Sequence, residues 1–181
     1  MWQAKLIVSV GRIIPSKAYD ILLEAVKDLP SNVGIYIISG KAAPDLQAIV
    51  DQYELHNVHF VDFMPKEKLW DYYKMADLLA LPTRIDTWGL FVNEAMANGL
   101  PVITTKKCVA GLELIKDGEN GYLIDVDDTA ALTDRINRLL ADEALCDQMA
   151  ANNVEKIRWY TFEKQAQVTL EALMSIESRL Q

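Results

Sequence analysis

The sequence predicts a doubly wound α/β domain, a parallel sheet with helices on both faces. Two observations predict it. Short, nearly all-apolar runs alternate with longer amphipathic runs almost to the end of the chain, as strands buried on both faces and their crossover helices require. No repeat, low-complexity tract or long linker interrupts that alternation. The 181 residues suit a single domain, long enough to bury a core without a disulfide or metal staple.

Each element has its own signal. Residues 5–10 (KLIVSV) are dense in β-branched side chains and stop at Gly11, which predicts a first strand. Residues 17–28 form a helix, with Ile21, Leu22, Ala25, Val26 and Leu29 spaced for one face. Residues 34–39 (GIYIIS) are a second strand, ended by Gly40. A second helix spans 43–55, with Leu46, Ile49, Val50 and Tyr53 on one side. Residues 57–61 make a short third strand, and 65–75 a helix with Pro65 in its first turn. Residues 77–81 make a fourth strand, and 89–98 a helix stopped by Gly99, Leu100 and Pro101. Two further strands, 101–104 and 121–125, flank a short helix near 112–115. Helices at 129–140, 143–158 and 162–180 finish the chain, the first announced by Asp127 and Asp128.

Composition narrows the function. With 51% hydrophobic and 24% charged residues the chain is ordinary globular protein. Acidic residues outnumber basic ones 26 to 18, for a net charge of −8. That balance argues against a nucleic-acid binder or an electrostatic membrane anchor, which need clustered Lys and Arg. No apolar run approaches the roughly 18 residues of a membrane span, and Met1 to Lys5 carry no signal-peptide pattern. The two cysteines, Cys108 and Cys146, stand in no metal-ligand spacing. That usage fits a reducing, cytoplasmic setting.

Doubly wound sheets bind ligands beyond the carboxyl ends of their strands, where strand order reverses. The loops after Val10, Ser39, Val61, Leu81 and Thr104 are therefore the candidates. The first reads Gly11-Arg12-Ile13-Ile14-Pro15-Ser16-Lys17. Lys17 at a helix start is on the wrong side of the helix dipole and calls for a nearby anion; the alternative is two solvated cations. The fourth places Asp86 just before a helix, Gly89 at its first turn and Glu94 one turn on. The free N–H groups of Gly89, Leu90 and Phe91 make an anion site, and Glu94 reaches a hydroxyl of the same ligand. The alternative has Asp86 or Thr87 capping the helix, Trp88 packing and Glu94 solvated.

Weaker signals read as structure. His56 and His59 lack acidic or Cys partners in a metal-binding pattern. Cys108 follows Lys106 and Lys107 but suits strand-end packing, and Trp70, Tyr72 and Tyr73 suit a helix covering the sheet.

Three ordered segments carry a family resemblance. Gly11-Arg12, Lys17 and Asp20 match Gly-Arg-x4-Lys-Gly-x-Asp, with Ala18 in place of Gly. Asp86-Thr87-Trp88-Gly89-Leu90, Glu94-Ala95-Met96-Ala97, Gly99 and Pro101-Val102 match a Glu-x7-Glu motif, with Asp86 for the first Glu. Glu113-Leu114-Ile115, Asp117-Gly118 and Asn120-Gly121 match a third, and Tyr160 to Glu163 echo the opening of a last helix. The chain resembles the C-terminal, donor-binding half of GT-B-fold retaining glycosyltransferases of the group 1 kind.

The resemblance implies one Rossmann-like lobe over 1–181, a core to 160 closed by a helix from 161, with the N-terminal acceptor lobe absent. It implies a nucleotide-diphosphate sugar as donor substrate, with Arg12, Lys17 and Asp86 in the catalytic group. Gly11, Gly89, Leu90 and Glu94 complete the donor site, and Asp62, Phe63 and Met64 border the base. It implies no cofactor and no metal, an acceptor sugar, lipid or glycan held by the other lobe, and no nucleic acid. The parent enzyme is expected to build bacterial polysaccharide or lipopolysaccharide in the cytoplasm, in peripheral contact with the inner membrane face. This chain alone is expected to transfer little or nothing. The alternative is a non-catalytic, glycosyltransferase-like scaffold module, favoured by Ala18 and Asp86.

Overall fold

A computed structural model describes residues 4–180. Met1 to Gln3, read above for a targeting signal, and Gln181 lie outside the described residues. Six strands form one parallel sheet: β1 (Lys5–Val10), β2 (Val33–Ile38), β3 (Val58–Val61), β4 (Leu78–Leu81), β5 (Val102–Thr105) and β6 (Gly121–Ile124). Their order is β3-β2-β1-β4-β5-β6. β1 pairs with β2 on one side (Val10 opposite Ile38) and with β4 on the other (Val8 opposite Leu79). The chain order reverses there, and the loops leaving β1 and β4 face each other across that crevice.

Alternation along the strands sends successive side chains to opposite faces. Ile7, Ile35, Ile37, Leu78, Ala80 and Ile103 share one core with α1 (Tyr19–Val26), α2 (Pro44–Gln52) and α6 (Thr129–Ala141). Val8, Val10, Ile38, Leu79, Leu81 and Val102 share the other with α3 (Lys66–Met75), α4 (Leu90–Ala97) and α5 (Val109–Leu114). α7 (Glu143–Ile157) bridges the layers: Met149 joins the first core and Ile157 packs on the second. Buried hydroxyls in the sheet are satisfied across strands. Ser9 donates to the Ala80 carbonyl (2.6 Å), Thr104 to Leu81 (2.8 Å) and Thr105 to Thr83 (2.6 Å).

Two elements depart from the sequence reading. The helix expected from residue 17 is split. Pro15–Lys17 form a single 3-10 turn, Ala18 adopts the left-handed conformation (φ 53°, ψ 44°), and α1 starts at Tyr19. Ala18 is fully buried, and its conformation is one that costs an alanine about 1–2 kcal/mol. The helix expected to close the domain, α8 (Phe162–Leu180), does not fold back onto the sheet: residues 162–176 are exposed throughout. Its apolar residues Val168, Leu170, Leu173, Met174 and Ile176 all face solvent. No described helix is long and apolar enough to cross a membrane.

Candidate functional site

The crevice between β1 and β4 brings the two main candidate loops together. Lys17 does not open a helix. It ends the 3-10 turn, and its anion is Asp86, with Nζ 2.5 Å from Oδ2 and both side chains about one-sixth exposed (17% and 16%). Asp86 is held by backbone: its N–H donates to Lys107 O (3.0 Å), and its carbonyl accepts from Val109 N–H (3.3 Å). Its other carboxylate oxygen accepts the Trp88 N–H at 3.3 Å. Neither Asp86 nor Thr87 caps α4. The cap is Gly89, with no side-chain bond.

Gly89 is demanded twice over. Its φ of +97° disfavours any side chain, and a Cβ there would lie 2.6 Å from Cys108 Sγ. Cys108 is fully buried, and burial pushes its thiol up from the usual range, against the opposing pull of Lys17. Among the described residues the N–H groups of Gly89, Leu90 and Phe91 meet no acceptor, so three donors at the positive end of α4 are unpaired.

Glu94 is not a solvated helix residue. Its side chain is 14% exposed, Lys66 Nζ lies 3.1 Å from Oε1, and the Tyr73 hydroxyl donates to Oε2 at 3.2 Å. Trp88 is fixed by Nε1 donating to Asn93 Oδ1 at 2.9 Å. Leu90 and Glu94 also line a cleft of about 1060 Å³ between α3, α4, α5 and the start of α8, with Lys66, Trp70, Trp88 and Phe162. Gly11, Arg12, Lys17 and Asp86 lie outside that cleft.

Gly11 leaves β1 with φ +146°, and its carbonyl accepts the buried Tyr19 hydroxyl at 2.9 Å. Burial pushes that phenol well above its usual range. Arg12 is exposed, and among the described residues its side chain has no hydrogen-bond or ion-pair partner. Asp62, Phe63 and Met64 follow β3 at the sheet edge, two strands from β1; Asp62 and Phe63 are exposed. Of the two histidines, His59 leans on the Tyr36 ring (4.8 Å between centroids) and His56 is exposed.

The roles of four residues of this region escape a reading of the sequence. Arg84 binds both oxygens of Asp20 (3.1 and 2.6 Å), Asp127 (2.7 Å) and the Pro15 carbonyl (2.8 Å). With Thr83, whose hydroxyl donates to Ser16 O at 2.6 Å, it ties the loop after β4 to the loop after β1. The available signal is Asp20, a motif acid whose near cation in sequence, Lys17, pairs elsewhere. Tyr73 and Lys66 sit on α3, where an amphipathic pattern reads only as sheet cover.

The comparisons with known proteins fit this arrangement. Residues 3–156 match the family model "Glycosyl transferases group 1". The D-inositol 3-phosphate glycosyltransferase of Mycolicibacterium smegmatis is 33% identical over 186 residues, covering 97% of this chain and 40% of that protein. The chain thus spans about 40% of the length of the curated relatives it matches. Sucrose-phosphate synthase from Thermosynechococcus elongatus superposes with a TM-score of 0.83 at 26% identity, covering 96% of this chain and 46% of that one. The C-terminal domain of a glycosyl transferase group 1 family protein from Francisella tularensis superposes at 0.80 with 25% identity, each chain covered to 88%. The sheet order, the two facing loops and the family match agree on a Rossmann-like lobe of the GT-B type, and the chain belongs to the group 1 glycosyl transferases.

Proposed function

We propose that this chain binds a nucleoside-diphosphate sugar and, with an acceptor-binding lobe from the rest of a longer protein, transfers the glycosyl group with retention of configuration. One observation carries the reading. Lys17, Asp86, the open N–H groups of Gly89 and Leu90, and Glu94 one turn further all belong to loops or helix starts at the reversal of the sheet. When the bond from the sugar C1 to the β-phosphate oxygen breaks, its electron pair stays on that oxygen and negative charge grows on the diphosphate. Arg12, Lys17 and the start of α4 meet that charge where it develops. At 4 Å and an effective dielectric of 20 the bare attraction of one cation is about 4 kcal/mol, reduced here by solvent around exposed Arg12 and by the pairing of Lys17 with Asp86. Asp86 holds hydroxyls of the departing sugar, Glu94 the ribose hydroxyls, and Asp62 to Met64 border the base.

In this scheme the fixed positive charge takes the part a divalent cation plays elsewhere, so a chelator should leave the affinity unchanged. The acceptor belongs to the other lobe, and this chain alone transfers little or nothing. Bacterial polysaccharide or lipopolysaccharide assembly at the cytoplasmic face of the membrane is the setting we infer, from the family. The mycobacterial relative is named for a different acceptor, so we assign acceptor choice to residues that the two proteins do not share.

Calorimetric titration of the chain with UDP, GDP and ADP tests the reading, repeated with Arg12→Ala and Glu94→Ala. One diphosphate that binds, and that both substitutions weaken about tenfold, is the expected result. Binding indifferent to both overturns the site, and no binding to any of the three favours the scaffold alternative.

A further inference from the structure

Glu94 has its two carboxylate oxygens divided between unlike partners. Oε2 accepts from Tyr73, which is 0% exposed, and Oε1 faces Lys66, whose side chain is 59% exposed. Glu94 itself is nearly enclosed. A carboxylate so placed needs donors in place of the water it has lost. The two donors are not equivalent. The Lys66 ammonium ends a flexible, solvated stem and gives way cheaply, because exposed ion pairs contribute little. The Tyr73 ring is locked in the second core among Leu69, Val92 and Met96. Among the described residues its hydroxyl has no partner but Glu94. Burial and the carboxylate together push that phenol far above its usual range, so it remains a proton donor at any working pH.

We infer that Tyr73 is a positioning residue for the donor nucleotide: by holding Glu94 Oε2 from the buried side, it presents Oε1 to the ribose hydroxyls, which displace Lys66. This rests on the donor-site reading above. Without the phenol, the carboxylate is free to turn both oxygens toward Lys66, and the acceptor aimed at the ligand is lost. The ring itself does not touch the ligand.

The test uses the diphosphate among UDP, GDP and ADP that binds in the titration above, with its 2′,3′-dideoxy form as the second probe. Tyr73→Phe keeps the ring and its packing. It should weaken the ribonucleotide roughly tenfold, the effect of one charge-assisted hydrogen bond, and leave the dideoxy form within about twofold. In a Glu94→Gln background the same change should add nothing to the difference between the two probes. If none of the three diphosphates binds the wild-type chain, or if it binds both probes equally, the donor-site reading falls and this inference with it. A wild-type chain that discriminates between the probes, with Tyr73→Phe discriminating equally, overturns the inference alone. So does a Tyr73→Phe variant that weakens both probes alike, because that is a structural defect.

Discussion

Replacing Gly89 by Ala separates two costs that the structure assigns to one position. The first is backbone: at φ +97° a side chain costs about 1–2 kcal/mol. The second is steric. The new Cβ would stand 2.6 Å from Cys108 Sγ, so sulfur and carbon must part by roughly 1 Å, at about 1–3 kcal/mol for a packed interior. Alanine also lowers the entropy of the unfolded chain, which returns about 0.4–1 kcal/mol. The net loss is about 1–4.5 kcal/mol, or a melting point lower by roughly 2–18 °C for a domain of this size. Cys108→Ala alone should cost about 1 kcal/mol for the buried sulfur. In the double variant the sulfur is gone, and the next atoms met by a Cβ on Gly89 belong to Asp86 at 3.7 Å, an ordinary contact. Only the backbone cost then remains, and the cycle should show a favourable coupling of about 1–3 kcal/mol. Urea unfolding, followed by circular dichroism and by tryptophan fluorescence, measures all four corners. A Gly89→Ala chain within about 0.5 kcal/mol of wild type, or a coupling below that figure, would refute the reasoning.

Three more expectations follow from the same contacts. Lys17→Met leaves Asp86 largely enclosed without its cation and should cost about 2 kcal/mol, between the values for exposed and fully buried pairs; adding Asp86→Asn should recover at least half, by the same unfolding assay. Arg84→Met should cost about 1–2 kcal/mol at low salt and less at 1 M, because its partners Asp20 and Asp127 are 41% and 49% exposed and screened accordingly. Cys146, pushed up to about 11 chiefly by burial, should alkylate slowly at pH 8 and gain close to tenfold per pH unit toward pH 10, with no plateau near 9. Since its folded value lies above the unfolded one, the unfolded chain releases that proton first. Its contribution is therefore complete below about pH 8.5 and is lost as pH rises toward 11; Cys146→Ser should flatten that decline.

The order of elements is legible because apolar density and period are local properties. Strand β1 falls on residues 5–10 as read, since Lys5 and Gly11 bracket a short run dense in β-branched residues, Ile7, Val8 and Val10. The split before α1 is not legible in Ala18 itself, which carries no sign of a left-handed backbone; only the Gly of the motif it matches marks that position. In the candidate site, the pairing of the loops after β1 and β4 is foreseeable from strand reversal alone. The partners inside it are not. Lys17 finds Asp86 across 69 residues and Arg84 finds Asp20 across 64, separations that only the folded sheet closes. Tyr73 is hidden for a different reason: its ring obeys the helical pattern of a covering residue while its hydroxyl does something else.

The hydroxyl ties of Ser9, Thr104 and Thr105 all lie near the carboxyl ends of their strands. The sheet is therefore laced along the rim from which the loops hang. The opposite margin is tied too, by other chemistry: Lys5 pairs with Asp77 (2.9 Å), whose other oxygen accepts the Leu6 N–H at 2.7 Å. A rim tied by side chains within the strands lets the loops above it vary in sequence from protein to protein without loosening their footing, one physical basis for a single lobe serving many transferases.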